Sequence, residues 1–173
     1  IQQSFSHSSS SFMIGKIQGN IVDLLYAPLS ATEVTTSIAL AAVTRSVMIA
    51  IVSIIVFKFI IDIEIANYLL LIVFTLLSAF ILGNIGIIAG LWAEKFDHMA
   101  TVTNFVIVPL SFLSGTFYSI ERLPEVLQII SKANPFFYMI DGFRYSFIGQ
   151  ADGSITVGLV YLTILSLVSW FLT

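Results

Sequence analysis

Residues 65–93 form a run of 29 positions without a charged side chain. A helix rises about 1.5 Å per residue and the hydrocarbon core of a bilayer is about 30 Å thick, so about 20 apolar residues cross it. A soluble protein of this size has no interior wide enough to bury a helix that is apolar on every side. The run therefore predicts a membrane protein.

The composition of the whole chain supports this prediction. Hydrophobic residues make up 58% and charged residues 10% of the sequence, whereas about a quarter of residues are charged in an ordinary globular domain. The net charge of −3 argues against a nucleic-acid partner, which requires a basic face. There are no cysteines, which excludes disulfides and thiolate sites. The two histidines are far apart in sequence, so no metal site is expected.

Four apolar segments are long enough to cross a membrane: Val34–Phe57, Tyr68–Trp92, Ala100–Phe117 and Ile155–Thr173. Lipid tolerates only helices and closed barrels, and these segments lack the alternating pattern of barrel strands. The predicted fold class is an all-α polytopic membrane protein. Charged residues interrupt the apolar stripes of the long connection 118–154, which predicts interfacial or re-entrant helices there.

The first residues leave two interpretations open. Residues 1–12 are rich in serine, and composition alone predicts a loop. The alternative is the end of a truncated helix whose serine face packs on its neighbours. Because the chain starts at Ile1 without a methionine and stops at Thr173 inside an apolar run, we expect a fragment of a longer protein.

The segment 15–33 is amphipathic and too polar to span the membrane. Ile17, Leu24 and Leu25 follow a helical spacing that ends at Pro28, whose ring clashes with the preceding turn. The residues Ser30-Ala31-Thr32-Glu33 then form a capping-box pattern, which predicts the start of the next helix. We therefore expect a short surface helix immediately before the first complete span.

Three segments together resemble the permease subunit of ABC-2 type exporters, the family of drug, polysaccharide and lipo-oligosaccharide export permeases. The segments read GKIQGNIVDLLYAP at 15–28, PLSFLSGTFYS at 109–119 followed by Leu123-Pro124, and NPFFYMIDGFR at 134–144. Each is weak alone. Their order and spacing between the spans make the combination specific, and it covers nearly the whole chain.

The resemblance implies a six-helix transmembrane domain, of which residues 1–173 lack the first helix, most of the second and the C-terminal tail. It implies a multi-pass protein of the bacterial inner membrane that pairs with a second permease subunit, contacts membrane lipid and sits on two ABC ATPase subunits. The chain would be a permease and not an enzyme, and would bind no cofactor. The sequence lacks the G-x-x-x-x-G-K-[ST] phosphate loop, so ATP and Mg are expected on the partner ATPase.

The resemblance also assigns residues to sites. The loop 15–33 would be the cytoplasmic coupling element, with ATPase-coupling residues Lys16, Asn20, Asp23, Leu24, Leu25 and Pro28. Its alternative is an ordinary interfacial helix without a partner. The helices at 118–154 would be extracytoplasmic, with motif residues Gly115, Tyr118, Pro124, Asn134, Pro135, Tyr138, Asp141 and Arg144. Asp141 and Arg144 are three apart on a helix and are expected to pair.

The spans themselves carry further candidates. Gly83, Gly86 and Gly90 predict close helix packing, and Asn84 beside them is expected to hydrogen-bond across the same contact. Arg45, with Asn104 and Pro109, is a candidate for translocation or lipid contact; Pro109 is also expected to kink its span. Arg45 either extends its guanidinium to the interface or faces the subunit interior and binds an anionic headgroup or a carboxylate.

Orientation and function have rival interpretations. The loops at 15–33 and 93–99 carry only two lysines, while the opposite side carries Lys58, Arg122, Lys132 and Arg144. The positive-inside rule would make that second side cytoplasmic, whereas the family topology, which we follow, says the reverse. The rival functions are a polytopic membrane enzyme acting on lipid or isoprenoid, and a membrane scaffold. An enzyme of that class needs clustered carboxylates or metal ligands at helix ends, and the sequence has none clustered.

Overall fold

The computed structural model describes residues 2–20, 26, 28–60, 65–117, 120 and 123–173. All regular elements within these ranges are helices, which confirms the all-α polytopic class. They are α1 (Gln2–Gln18), α2 (Ala31–Ile60), α3 (Tyr68–Trp92), α4 (Phe96–Val102), a π-helical segment (Thr103–Ile107), α5 (Val108–Leu113), α6 (Glu125–Ala133), α7 (Pro135–Ile148) and α8 (Ile155–Phe171).

Three of the described helical segments are long and apolar enough to cross a membrane. They are α2, α3 and the continuous segment Phe96–Leu113 that contains α4, the π segment and α5. The helix α8 is apolar and slightly shorter, with 17 residues. The segment Phe96–Leu113 lies closer to the N-terminus than the span predicted at 100–117, because a left-handed Gly115 (φ 78°) follows its last turn.

The capping box predicted before the first complete span is present. The Ser30 backbone N–H donates to Glu33 Oε2 at 2.7 Å, and the Glu33 N–H donates to Ser30 Oγ at 3.3 Å. These bonds satisfy two backbone donors that a helix start leaves free. The helix α2 therefore begins at Ala31 and runs 30 residues, beyond both ends of the segment 34–57 predicted from hydropathy.

The serine-rich N-terminal segment is a helix whose serine face packs on its neighbours, so the prediction of a loop from composition is wrong. In α1, Ser4, Phe5, Ser8 and Ser9 are buried. The Ser8 hydroxyl donates to the Ser4 carbonyl one turn earlier at 2.9 Å, which allows a hydroxyl to enter an apolar interior. Serine favours loops where its hydroxyl replaces a helical backbone hydrogen bond. In α1 the Ser8 hydroxyl bonds a carbonyl of the same helix, so composition predicts the wrong structure.

The helix α3 is the centre of the bundle. It contacts α1, α2, α7 and α8, and it buries large side chains that include Phe74, Ile81, Leu82 and Ile87. By contrast, α2 and the segment Phe96–Leu113 are mostly exposed along their apolar lengths. Exposed side chains such as Met48 and Phe105 face outwards, as expected for surfaces that meet lipid or another membrane helix.

The third span contains a π-helical segment just before Pro109. Pro109 lies in the first turn of α5, directly after Thr103–Ile107. Proline lacks an N–H, and a π segment shifts the hydrogen-bond pattern so that the helix continues through it. The side chains of Thr103 and Ser111 donate to the carbonyls of Met99 and Ile107 at 2.9 and 2.8 Å.

Different helices meet at the two ends of the bundle. At the end that carries residues 19–30, the last turns of α1, α3 and α8 lie beside the start of α2; Trp170 Nε1 donates to Thr36 Oγ1 at 3.1 Å. At the end that carries residues 114–154, α6 and α7 join the ends of α5 and α8. We refer to these as the 19–30 end and the 114–154 end.

Candidate functional site

The ammonium of Lys16 caps the C-terminus of α3 at the 19–30 end. It donates to the carbonyl oxygens of Gly90 at 2.9 Å and Ala93 at 3.0 Å, and it also contacts the carbonyl of Leu91. The last carbonyls of a helix lack intrahelical partners and carry partial negative charge, so a lysine there satisfies and stabilises them. Lys16 therefore ties the end of α1 to the end of α3.

This position corrects the predicted boundaries of the coupling segment. Gly15, Lys16 and Ile17 belong to the last turn and a half of α1, and not to a separate surface helix starting at Gly15. A left-handed Gly19 (φ 77°) follows the last turn of α1 and ends the helix. The connection between α1 and α2, to which the coupling role was assigned, therefore starts at Gly19 and ends at the capping box of α2.

The remaining predicted coupling residues are only partly described. The Asn20 side chain donates to Gln18 Oε1 at 3.1 Å and is exposed, and Pro28 is exposed. Tyr26 and Leu29 expose 85% and 53% of their side chains at the same end. Predictions for Asp23, Leu24 and Leu25 lie outside the described residues. The coupling role of this segment stays a prediction.

The glycines of α3 lie against α1 and α2. A Cβ built on Gly86 would lie 2.6 Å from the Phe5 carbonyl oxygen, and one on Gly90 would lie 2.9 Å from that of Ser9. Both distances are shorter than real Cβ contacts, so the backbones of α1 and α3 approach as closely as they do because these positions lack a side chain. Gly83 instead faces Ala39 and Ala42 of α2, where a Cβ would meet ordinary contacts from 3.5 Å.

Asn84 lies away from the contact at which it was expected. Its side chain is fully buried and donates from Nδ2 to Ser169 Oγ of α8 at 3.5 Å. It therefore links α3 to α8, and not to α1 across the two glycines. The prediction placed it wrongly because Asn84 and its glycine neighbours point to different faces of one helix.

At the 114–154 end, the junction of α6 and α7 caps the end of the third span. Asn134 Nδ2 donates to the carbonyl of Leu110 and to Ser114 Oγ, both at 2.8 Å, and Ser131 Oγ donates to the carbonyl of Leu113 at 2.9 Å. These carbonyls belong to the last turn of α5, where intrahelical N–H partners run out, and the Leu110 carbonyl also accepts from Ser114 Oγ at 2.6 Å. Pro124 and Pro135 start α6 and α7 at positions where a missing N–H costs nothing.

Arg144 connects three segments at this end. Its Nη2 donates to the carbonyl of Gly115 at 2.6 Å, and its Nη1 lies 2.9 Å from Asp152 Oδ2. The predicted partner Asp141 is farther, at 3.9 Å from Nη1. The pairing prediction thus named the weaker partner, because Asp152 comes close only after the chain turns at Gly149.

Asp141 instead holds the turn that precedes α8. Its Oδ1 accepts the Asp152 N–H at 2.8 Å, and its Oδ2 accepts the Gly153 N–H at 2.9 Å. Burial raises the pKa of the Asp141 carboxyl, while these two bonds and the Arg144 charge oppose that rise. The nearby Tyr138 ring packs on Tyr161 of α8 with ring centroids 4.8 Å apart. Tyr118 lies outside the described residues.

The candidates for translocation or lipid contact do not form one cluster. Asn104 and Pro109 are exposed on the outer side of the third span. Arg45 is exposed on α2 and lines a cavity of about 320 Å³ between α2 and α1. The helix α2 starts at Ala31, so Arg45 is near the middle of its 30 residues.

No group of three or more His, Asp or Glu side chains that could hold a metal occurs in the part of the chain that the structure describes. The loop after α3 contains Glu94, Asp97 and His98, with both carboxylates exposed. The Glu94 N–H donates to His98 Nδ1 at 3.4 Å, and the His98 ring packs on Trp92 at 5.6 Å. These contacts describe a polar turn at the 19–30 end.

Sequence reasoning missed residues that the structure places in key contacts. Asp152 and Ser114 complete the network around Arg144 and Asn134, and Ser4 of α1 contacts Ser46 of α2 through their hydroxyls. Each contact joins segments far apart in sequence. The only signal in the sequence was a polar residue near a predicted helix end. Such a residue does not indicate which distant residue it will contact.

The comparisons with known proteins agree with the resemblance noted in the sequence. The profile of the ABC-2 type transporter family matches residues 1–148. The chain belongs to this family. It is 31% identical over 176 residues to the inner membrane transport permease YadH of Escherichia coli K12, covering 99% of this chain and 69% of that protein. It is 29% identical over 91 residues to nodulation protein J of Rhizobium leguminosarum bv. viciae, covering 50% of this chain and 35% of that protein.

This ABC-2 protein is a membrane permease subunit of an ABC exporter, multi-pass and located in the inner membrane. Proteins of this family are transport permeases that work with ABC ATPase subunits. No solved structure matches the chain significantly. Among the helices of this permease that the structure describes, α1 to α8, the central one is α3.

Proposed function

We propose that two copies of this permease, or one copy and a related subunit, form an export path driven by two ABC ATPase subunits that dock at the 19–30 end. ATP and Mg bind to the ATPases in this arrangement, and the permease itself binds no cofactor. The observation that carries the proposal is that the 19–30 segment connects α1 to α2, while Lys16, three residues before it, bonds α1 to the end of α3.

That attachment has a mechanical consequence. The segment leaves α1 directly after Lys16, whose ammonium is bonded to the end of α3. It enters α2 through the reciprocal bonds of Ser30 and Glu33. A displacement of the segment by a closing ATPase pair would therefore move α1, α2 and α3 together. The ATP-bound partner supplies the difference in affinity that shifts the permease between its states.

The outer surface of the third span supports a second permease subunit. Asn104 is exposed beside Phe105 and Val106, which expose 77% and 48% of their side chains. An amide that faces lipid is unfavourable, whereas one that faces another helix can form a hydrogen bond. A partner subunit on this face would cover both the amide and the apolar side chains.

The experiment is a direct count of subunits. The full-length permease is co-expressed with an ATPase encoded beside it, purified in detergent, and analysed by native mass spectrometry with and without ATP. The proposal predicts a complex of two permease and two ATPase chains. A permease that purifies only as a monomer, or that never retains an ATPase, would contradict it.

A further inference from the structure

A polar cleft lies between α1 and the middle of α2. Arg45 of α2 lines it, together with Gln3, Ser6, His7, Ser10 and Ser11 of α1. We call this group the Arg45 cleft. Its volume of about 320 Å³ lies at the lower end of the range of ligand pockets, about 300–1,000 Å³.

The depth of Arg45 makes the cleft unusual. Arg45 is the fifteenth of the 30 residues of α2, so it lies about 21 Å along the axis from either end. The helix is longer than the hydrocarbon core, which about 20 residues cross, so its fifteenth residue lies inside the core wherever along the helix that stretch is placed. A charge at such a depth is unfavourable unless it faces a partner, and ionisable residues inside membrane spans mark functional pathways.

The described residues offer Arg45 no carboxylate. The recorded ion pairs within the described ranges belong to Arg144 at the 114–154 end, and the side chains that line the cleft are neutral or basic. His7 Nδ1 is buried and has no hydrogen-bond partner among the described residues. The cleft therefore presents a permanent cation and several hydrogen-bonding groups without an anion to receive them.

We propose that the Arg45 cleft binds the phosphate group of an anionic membrane lipid. A guanidinium forms paired, charge-assisted hydrogen bonds with phosphate oxygens, and serine hydroxyls can add further donors. The cleft thus matches a phosphate in charge and in hydrogen-bond type.

The surroundings of the cleft point to lipid as the source of the phosphate. Leu40, Met48 and Ile49 surround Arg45 on α2 and expose 54%, 63% and 39% of their side chains. Ile14, 43% exposed, lines the cleft from α1. A lipid can place its acyl chains along these apolar side chains while its headgroup enters the cleft. A soluble anion would gain nothing from these apolar side chains.

The test uses the full-length permease, purified and delipidated in detergent. Native mass spectrometry measures binding of phosphatidylglycerol and of phosphatidylcholine with identical acyl chains. The wild type should prefer phosphatidylglycerol, and Arg45→Gln should weaken its binding by about tenfold or more, since a hydrogen bond to a charged group is worth about 1.5–3 kcal/mol. Arg45→Lys should retain part of the preference. Lys95→Gln, which removes an exposed lysine at the 19–30 end, should leave it unchanged.

A second variant covers the case in which Arg45→Gln does not fold. Ser10→Leu keeps the charge and fills the cleft, and it should also abolish the preference. The proposal is overturned if either folded variant binds phosphatidylglycerol like the wild type, or if the wild type shows no preference between the lipids. Displacement of phosphatidylglycerol by millimolar inorganic phosphate would assign the site to a soluble anion and would overturn the lipid source. None of these readouts involves the ATPase, so they are independent of the proposed docking.

Discussion

An alanine at Gly86 should destabilise this bundle, whereas an alanine at Gly83 should not. A Cβ at Gly86 would lie 2.6 Å from the Phe5 carbonyl oxygen and 3.0 Å from the Phe5 Cα. Both are backbone atoms, so α1 would have to move by about 0.8 Å to restore an ordinary contact of 3.4 Å. At Gly83, the nearest atom is Ala42 Cβ at 3.5 Å, where no movement is needed.

The two variants form a matched pair. Replacing glycine by alanine in a helix contributes up to about 1 kcal/mol of helix propensity, and this contribution is the same at both positions. The difference between the variants therefore isolates the steric conflict, and overpacking a well-packed interior costs about 1–3 kcal/mol. At about 2–4 °C per kcal/mol for a protein of this size, the two apparent melting temperatures should differ by about 2–12 °C.

The assay is thermal unfolding of the full-length permease in detergent, followed by size-exclusion chromatography of the fraction that stays folded. Gly86→Ala should melt below the wild type and Gly83→Ala at or above it. Gly86→Leu and Gly90→Leu should lower the folded yield further. Equal melting temperatures for the two alanine variants would refute the close contact between α1 and α3.

Three further predictions concern the two ends of the bundle. Lys16→Met removes the cap of α3 and should lower the free energy of unfolding by about 1–2 kcal/mol, measured by thermal unfolding. The exposed Lys95→Met should leave it unchanged. Equal effects of the two substitutions would contradict the cap. Arg144→Met should cost about 1.5–3 kcal/mol because it removes the Arg144 donor from the Gly115 carbonyl and the Arg144 charge from Asp152. The exposed Lys132→Met should cost nothing. An unaffected Arg144→Met would show that the network adds no stability. A cysteine at Glu125 should react with an impermeant thiol reagent in intact cells, and labelling only after the inner membrane is opened would reverse the predicted topology.

The parts of the fold that depend on local sequence could be predicted. Hydropathy identified α2 and α3 as membrane-spanning helices, and the reciprocal bonds of Ser30 and Glu33 were visible as a four-residue pattern. These features need no knowledge of distant residues, because a helix long enough to cross lipid and a capping box are both defined within one segment.

The parts that depend on contacts between distant segments could not be predicted. The serines of α1 pack against the glycines of α3, a contact between segments about 80 positions apart. Arg144 selects Asp152 because the chain reverses at Gly149. Lys16 was assigned to the coupling helix by the family pattern, whereas its ammonium bonds the end of α3 about 75 positions later in the chain. A single sequence does not show which distant residues will contact each other.

Coupled export requires an ATPase to dock at the 19–30 end, and a double substitution tests this docking most directly. Leu24→Asp with Leu25→Asp removes two apolar anchors, each worth about 1.5–3 kcal/mol when fully buried, so docking should weaken by at least about tenfold. Val126→Asp, which changes an exposed apolar side chain at the 114–154 end, is the matched control.

The measurement is co-purification of the ATPase with the full-length permease, together with the rate of ATP hydrolysis. The double variant should insert and dimerise like the wild type, yet lose both the ATPase and its stimulation, while Val126→Asp keeps them. Retention of the ATPase by the double variant with undiminished transport would contradict the coupling role of the 19–30 segment.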